Sequence, residues 1–332
     1  MDYKQLRQKD IALLLALYEN SRKSNRQLAK SLGISKETIG KKIEEFSTEK
    51  LIRGFSLGIN YAKLGFHEYH ILIRFSYIDT EQIEKLISFL ERHPNTNWIG
   101  KSFGRYDLKV NVMVQNPVQI TKIIRDISSQ VSIIEEIDSL YTVEKIKAAP
   151  QKYLQNLFSD KIEVKSFEKT PKKTKKEEKM VLDANDKNLL YVLGNNPRGT
   201  YAAISQACNL SPESLRYRIK RLEEMELITG YSIVFNANHF NKIWCLAFFT
   251  VEPAKLPKLK EKILEKNNVT TFFETLGKWN MTINFSASTI QELEQTMSEL
   301  RAEFSKSIRS FDFSIFFEDI YKYPRPPEAI KK

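Results

Sequence analysis

The 332-residue chain lacks the features that mark several classes of protein. Its only cysteines are Cys208 and Cys245, too few for a disulfide framework or a zinc site built from cysteines. No apolar run reaches the roughly eighteen residues of a membrane helix. The N-terminal stretch "MDYKQLRQKD" has no signal-peptide core. We therefore expect a soluble, cytoplasmic protein with two reduced, buried thiols.

Motifs for catalysis are also missing. The chain has no Gly-rich phosphate loop, no nucleophile elbow and no HExxH sequence. His67 and His70 are three residues apart in a strand-like stretch, so they point to opposite faces and cannot hold one metal ion together. The sequence therefore predicts no catalytic residues, no metal and no cofactor, and we expect a protein that is not an enzyme.

Positive charge is in excess and unevenly distributed. The chain carries 52 Lys+Arg against 41 Asp+Glu, a net charge of +11. Residues 1–60 hold 12 cations and 7 anions, and residues 159–182 hold 8 cations and 5 anions. This pattern suits a polyanionic partner such as DNA.

The chain is an internal duplication. A shift of 176 positions aligns Asp10–Asn60 with Asp186–Asn236 without a gap, and Arg22 and Arg198 form one of the identical pairs. Further on the offset becomes 173, where "FGRYDLKVNV" aligns with "LGKWNMTINF". The lysine-rich stretch between the two repeats cannot bury a core, so we predict a charged flexible linker at residues 159–182.

The first half of each repeat is predicted to be helical. Two apolar helices are followed by a turn at Gly33 or Asn209, residues that tolerate positive φ. A third helix begins at Ser35 or Ser211, since Ser is a preferred N-cap. We predict helix-turn-helix domains at residues 1–60 and 183–240.

The second half of each repeat alternates apolar and polar residues, as half-buried antiparallel strands do. Helical stretches separate these strands, which gives the order β-α-β-β-α-β of a ferredoxin-like domain. We place these domains at residues 61–158 and 241–332. The expected fold class is α+β, with two copies of a winged-type helix-turn-helix plus a ferredoxin-like domain.

The stretches "LSPESLRYRIKRLEEMELITGY" and "GRYDLKV" make both repeats resemble the leucine-responsive/asparagine regulator (Lrp/AsnC) family of prokaryotic transcription factors. "LDANDKNLL" in the second repeat also fits the opening of that family, whereas the first repeat has Arg7 in place of an acidic residue. The resemblance implies a sequence-specific DNA-binding transcriptional regulator modulated by a small effector such as an amino acid. The fused copies depart from the one-repeat chain usual in the family.

The third helix of the second repeat has one apolar stripe, Leu215, Ile219 and Leu222, which should face the core. The opposite face can enter the major groove of DNA, where side chains read base edges and flanking cations bind phosphates. We take Ser214, Tyr217 and Arg221 as candidate base readers and Arg216 and Arg218 as candidate phosphate clamps. The predicted DNA-binding set also includes Ser211 and Lys220. A solvated basic face with no partner is the alternative.

The first repeat carries a different outward face. Its predicted DNA-binding residues are Lys36, Thr38, Lys41 and Lys42, and three glutamates on the same helix reduce the positive charge. We therefore hypothesise that the second helix-turn-helix reads sequence, while the first mostly attracts the DNA backbone.

The resemblance also implies an effector site near the glycine-containing turn of each sheet domain, at Gly104 and Asp107 and at Gly277 and Asn280. The alternative is that glycine serves turn geometry alone. The off-core sheet faces are mixed, with Asp107, Lys109, Asn111 and Met113 in one and Asn280, Thr282, Asn284 and Ser286 in the other. Packing these faces together would form an intramolecular pseudo-dimer, and pairing between chains in a homo-oligomer is equally allowed.

Two further classes of function remain open. Siroheme decarboxylases resemble this regulator family in fold, so an enzyme on the same scaffold is the main alternative. RNA binding by the ferredoxin-like sheets is less favoured, because the aromatic RNP1 pattern is missing.

Overall fold

A computed structural model describes residues 6–147, 154, 157–158, 182–319 and 330. The predicted linker at 159–182 lies outside this set except for its last residue. The described residues divide into two compact units, one formed by 6–66 with 182–239 and the other by residues from 67 to 158 with 240–319. Among these residues, no helix is both long and apolar enough to cross a membrane. Cys208 and Cys245 are buried free thiols, and burial raises the pKa of Cys245 to about 12.

The two repeats contain the same elements in the same order. The first runs α1 (Gln8–Glu19), α2 (Asn25–Leu32), α3 (Lys36–Thr48), β1 (Ile52–Ile59), β2 (His67–Phe75), α4 (Thr80–Arg92), β3 (Thr96–Gly104), β4 (Leu108–Val114), α5 (Gln119–Ser128) and β5 (Ile134–Lys147). The second runs α6 (Ala184–Asn195), α7 (Tyr201–Cys208), α8 (Pro212–Glu224), β6 (Ile228–Phe235), β7 (Ile243–Val251), α9 (Leu256–Glu265), β8 (Val269–Leu276), β9 (Met281–Ala287), α10 (Ile290–Glu303) and β10 (Ile308–Asp319).

Local sequence signals define the helix-turn-helix in each repeat. Gly33 and Asn209 end α2 and α7 in the left-handed conformation, with φ of 61° and 53°. Ser35 caps α3 by accepting a hydrogen bond from the Thr38 N–H at 3.1 Å, and Ser211 caps α8 by accepting one from Ser214 at 3.2 Å. The predicted turns and caps are confirmed.

The two helix-turn-helix domains, each with its following strand, are called head one (α1 to β1) and head two (α6 to β6). They form a single compact unit, because β1 and β6 pair as an antiparallel ribbon. The repeated arginines exchange contacts between the heads. Arg22 Nη1 donates to the Pro197 carbonyl at 3.0 Å, while Arg198 Nη2 donates to Asn25 Oδ1 at 2.6 Å and Nη1 to the Ser21 carbonyl.

The other unit contains both ferredoxin-like sheets. Their strand orders are β3-β4-β2-β5 and β8-β9-β7-β10, and all neighbouring strands are antiparallel. Strand β10 also pairs with β3, and β5 pairs with β8, so the eight strands close into one continuous sheet. Helices α4 and α5 cover one apolar sheet core and α9 and α10 cover the other, which leaves the opposite faces to line an interior. The two sheets thus pair edge to edge within this unit.

Two glycines permit this closure. Gly104 has φ of 116° and Gly277 has φ of 143°. A Cβ on Gly104 would lie 2.6 Å from the Phe313 carbonyl oxygen, and one on Gly277 would lie 2.8 Å from that of Ser139. Each turn thus lies against the strand that comes from the other repeat, where a side chain has no room.

We expect Gly104→Ala to destabilise the protein more than Gly65→Ala. Gly65 also has positive φ, at 73°, but a Cβ there meets nothing within 4 Å. The first change adds a steric clash to backbone strain and should lower the free energy of unfolding by about 2–4 kcal/mol. The second adds strain alone, about 1–2 kcal/mol. Urea denaturation followed by circular dichroism measures both, and equal losses would contradict the closure role of Gly104.

Candidate nucleic-acid interface

Helix α8 of head two has the predicted two faces. Leu215, Ile219 and Leu222 are buried. Arg216 is exposed on the outward side, Tyr217 is 66% exposed, and the Lys220 side chain is 77% exposed beside Glu224. A cation-flanked aromatic on an outward helix face can stack on or hydrogen-bond to nucleic acid.

Arg218 and Arg221 lie differently from the expectation. Arg218 Nη1 contacts Asp186 Oδ1 at 2.6 Å and Asp183 Oδ2 at 2.8 Å, and Arg221 Nη2 contacts Asp186 Oδ2. The Asp186 side chain is fully buried at the start of α6. The Asp186 backbone N–H and the Arg218 guanidinium together lower the pKa of Asp183. These ion pairs hold α8 against α6, so the expected phosphate clamp and base reader are engaged inside head two.

Head one repeats this ion pair in a weaker form. Lys42 Nζ lies 3.3 Å from Asp10 and 3.0 Å from Glu45. Burial alone would lower the pKa of Lys42, but Glu45 and Asp10 raise it above its ordinary value. Arg7 occupies the N-cap of α1 and makes no side-chain cap, whereas its counterpart Asp183 caps α6. Lys42, expected to contact DNA, is thus also paired within its own head.

The remaining predicted residues of head one are exposed. Lys36 and Lys41 lie on the outward face of α3, and the Thr38 hydroxyl lies 2.9 Å from that of Ser35. Arg26 and Lys30 on α2 are also exposed. Head one therefore presents dispersed cations without an exposed aromatic on its third helix.

Sequence reasoning missed the surface around Tyr201, which is 41% exposed at the start of α7. The guanidinium carbons of Arg22 and Arg216 lie 4.9 Å and 5.7 Å from the centre of its ring. Arg22 belongs to head one and Arg216 to head two, so Tyr201 links the head-to-head contact with the outward face of α8. The sequence contains one signal for this surface, because the same residue, arginine, occupies the equivalent positions 22 and 198 of the two repeats.

The predicted effector residues take part in strand contacts. Asp107 Oδ2 accepts a hydrogen bond from the Phe75 N–H at 2.8 Å. Asn280 Oδ1 accepts the equivalent bond from Val251 at 2.8 Å, and Nδ2 donates to the Val251 carbonyl at 2.7 Å. Asp107 and its counterpart Asn280 thus make the same hydrogen bond to the backbone of a neighbouring strand, although only Asp107 is charged. With Gly104 and Gly277 needed for closure, these contacts favour the turn-geometry alternative.

Two other features bear on small ligands. A cleft of about 330 Å³ lies beside Asn280, lined also by Leu256, Lys260 and Glu274. The described part of the chain contains no group of three or more His, Cys, Asp or Glu side chains placed to hold a metal ion.

The paired heads place the protein in a recognisable class. The winged helix-turn-helix DNA-binding family matches residues 6–53 and again residues 182–229, one match in each head. An HTH-type transcriptional regulator of Pyrococcus furiosus, itself uncharacterised, is 25% identical over 144 residues, which cover 42% of this chain and 92% of the relative. The HTH-type transcriptional regulator Ptr1 of Methanocaldococcus jannaschii is 25% identical over 121 residues, covering 36% of this chain and 81% of the relative. Each repeat is thus similar to winged helix-turn-helix transcription regulators, and the chain carries two such repeats in tandem.

Two solved structures match both repeats together. The siroheme decarboxylase NirDL has a TM-score of 0.63 and 11% sequence identity, and the match covers 96% of this chain and 94% of that chain. A second structure of NirDL, in complex with an iron-uroporphyrin III analogue, gives a TM-score of 0.64 at 12% identity and covers 97% of this chain and 95% of that chain. At this identity the likeness shows a shared fold.

Arg218→Ala should destabilise head two more than Arg216→Ala. Removal of Arg218 leaves the buried Asp186 carboxylate with Arg221 as its remaining cation, and we expect a loss of about 1–3 kcal/mol. Arg216 is exposed, so its removal should change stability by less than about 0.5 kcal/mol. Chemical denaturation of the two variants distinguishes these outcomes. A stable Arg218→Ala protein would make Arg218 a candidate phosphate-binding residue again.

Proposed function

We propose that this protein is a sequence-specific DNA-binding transcription regulator whose two heads contribute unequally. The observation that carries the proposal is the difference between the outward faces of α8 and α3. The face of α8 presents Arg216, Tyr217 and Lys220, whereas the face of α3 presents Lys36, Thr38 and Lys41 beside acidic residues.

Base reading belongs to head two in this proposal. Tyr217 and Ser214 lie on the outward side of a helix that a serine cap and buried ion pairs fix in position. A fixed helix in the major groove places its donors and acceptors at base edges with little loss of conformational freedom. Arg216 and Lys220 flank this face and supply phosphate contacts. Arg218 and Arg221 act through Asp186 by holding the helix.

Head one supplies affinity that depends little on sequence. Its exposed cations, Lys36, Lys41, Arg26 and Lys30, are spread over two helices. Dispersed lysines and arginines neutralise phosphates without selecting bases. Because β1 and β6 pair, each protein molecule brings one reading head and one anchoring head to DNA, and the two halves of its operator should differ.

We predict different effects from matched variants in the two heads. Tyr217→Ala should relax the sequences selected from a random DNA library and weaken binding to the selected operator by about 5- to 150-fold. Lys41→Ala should weaken binding to all sequences by a similar factor and leave the selected sequence unchanged. Selection followed by fluorescence anisotropy measures both quantities. Equal loss of sequence preference in the two variants would contradict the division between the heads.

Salt should weaken binding through the same cations. Removal of one phosphate-binding cation should reduce the slope of log K against log salt by about 0.9. Lys41→Ala and Lys220→Ala are expected to show this smaller slope, and Thr38→Val is the uncharged control on α3. Binding that does not weaken as salt rises would contradict a phosphate-dominated interaction.

The effector part of the proposal concerns a small molecule such as an amino acid. The cleft of about 330 Å³ beside Asn280 supports it, since Lys260, Glu261 and Glu274 supply charges of both signs at its wall. A thermal-shift screen over the amino acids tests this part alone. If no amino acid shifts the unfolding temperature, the effector part of the proposal is wrong. The DNA-binding part is unaffected by that result.

A siroheme decarboxylase-like activity is the second candidate, favoured by the match of NirDL to both repeats together. Purified protein incubated with siroheme would then shift the Soret band of the siroheme and release carbon dioxide. Neither signal is expected from a DNA-binding regulator. We place the regulator first because the sequence relatives are named as regulators.

A further inference from the structure

The interior of the closed sheet has an apolar part and a charged part. Leu72, Leu140, Leu246 and Phe248 form the apolar part together with Tyr106 and Trp279. Trp279 Nε1 donates to the Tyr106 hydroxyl at 2.8 Å, and that hydroxyl donates to Asp138, so these buried polar groups have partners. The charged part is different, because several of its polar groups have none among the described residues.

The charged part of the interior surrounds the ring of Phe273 on β8. The His70 ring meets the Phe273 ring edge-on, with centroids 4.6 Å apart. The Nζ atoms of Lys109 and Lys145 lie 5.1 Å and 5.3 Å from the centre of the same ring. Lys109 Nζ is also 5.7 Å from the Trp98 ring. Two ammonium groups and one imidazole thus surround a single buried phenyl ring.

The negative charge in this cluster does not balance the positive charge. Glu68 is the only carboxylate that contacts the cluster among the described residues. Its oxygens lie 3.0 Å and 3.2 Å from Lys145 Nζ and 3.5 Å from His70 Nε2. Lys109 is 4% exposed, and it contacts two aromatic rings and no hydrogen-bond acceptor within the described part of the chain. One ammonium group is therefore buried without a hydrogen-bonded anion, which is unfavourable.

Neutral polar atoms nearby also lack partners. His70 Nδ1, Asn111 Oδ1 and Thr282 Oγ1 are buried and make no hydrogen bond to any residue that the structure describes. Asn111 lies opposite His70 in the β2–β4 pair, and Thr282 lies opposite Phe273 in the β8–β9 pair, so all of these side chains share the interior face. Buried polar atoms in native proteins usually have partners, so these atoms offer hydrogen-bonding positions to ordered water or to a small polar ligand.

The environment also changes the protonation of the cluster. Burial lowers the pKa of Lys109 to about 7, and burial and Lys109 together lower the pKa of His70 to about 4. Burial alone would raise the pKa of Glu68, but Lys145 and His70 hold it well below its ordinary value. At neutral pH an anion beside Lys109 would therefore favour the charged ammonium.

Only the first repeat builds this cluster. With the offsets of the alignment, the counterparts of Lys109, His70 and Glu68 in the second repeat are Thr282, Leu246 and Trp244. The closed sheet folds with uncharged residues at those positions, so its architecture does not require the charged ones. The cluster is thus a single feature per chain and not a repeated packing solution.

We propose that the closed sheet binds a small monocarboxylate between Lys109, His70 and Phe273. The carboxylate would pair with the Lys109 ammonium and accept a hydrogen bond from the Thr282 hydroxyl. An apolar portion of the ligand would contact Phe273 and Trp98. One negative charge matches the single excess cation of the cluster, and Lys145 at the edge of the cluster has a side chain that is 33% exposed. The site is separate from the cleft beside Asn280 and does not depend on the DNA-binding proposal.

Calorimetry and thermal unfolding of the full chain test this site. Sodium propionate and sodium benzoate are titrated at pH 7, against chloride and phosphate at matched ionic strength. We expect saturable binding of a carboxylate with a rise in unfolding temperature, and no such effect from chloride or phosphate. Lys109→Met should weaken carboxylate binding at least ten-fold. Its own unfolding temperature should stay the same or rise, because an unpaired buried cation is removed. The exposed Lys122→Met is the control and should bind as the parent does.

Lysine NMR of the parent protein supplies a measurement that needs no variant. With ¹³C-labelled lysine, one ammonium should titrate near pH 7, and saturating propionate or benzoate should raise its pKa by at least one unit. Absence of binding by both carboxylates, equal binding by Lys109→Met, or equal effects of chloride and phosphate would each overturn the proposal. A lysine pKa unchanged by a bound carboxylate would do the same.

Discussion

The backbone of an edge strand is the constraint on which this protein depends. A four-stranded ferredoxin-like sheet has two edges with unpaired N–H and C=O groups, which must be covered or paired. Here edge strand β5 of the first sheet pairs with edge strand β8 of the second, and β10 of the second pairs with β3 of the first. No edge of either sheet remains open among the described strands. The rest follows from this closure: the glycines at 104 and 277 allow the strands to approach, and Asp107 and Asn280 tie neighbouring strands together.

The heads meet the same requirement on a smaller scale. Strands β1 and β6 would each be isolated in a single repeat, and they pair with one another instead. Arg22 and Arg198 then donate to backbone carbonyls across the contact, which gives buried acceptors a charged partner. The same residue type at the same repeat position thus performs the same task twice. By contrast, the outward faces of α3 and α8 are free to differ, since no internal contact constrains Tyr217 or its counterpart Lys41 within the described residues.

The elements of the fold were predictable because they follow from periodicity and from local backbone chemistry. The stripe of Leu215, Ile219 and Leu222, the caps at Ser35 and Ser211 and the positive φ at Gly33 and Asn209 all depend on residues close in sequence. The partners of long charged side chains were not predictable. Arg218 lies on the flank of α8, and only the packing of α6 shows that its guanidinium contacts Asp186 instead of solvent. The alternation of β4 placed Lys109 on the off-core face, but the closure that buries it brings together strands far apart in sequence.

The pairing of β5 with β8 joins residues from the two repeats of one polypeptide, and this has a consequence for how the protein behaves among its relatives. Dimers of separate chains exchange subunits, so closely related regulators in one cell can form mixed species. Covalent linkage replaces that exchange by an intramolecular equilibrium with a high effective concentration, on the order of millimolar for short flexible linkers. A mutation in one repeat is then always combined with the same second repeat, because both belong to one polypeptide. Unlike residues at equivalent positions of the two repeats, such as Lys109 and Thr282 or Lys41 and Tyr217, therefore stay together in every molecule. Subunit exchange would instead distribute such residues among several assemblies.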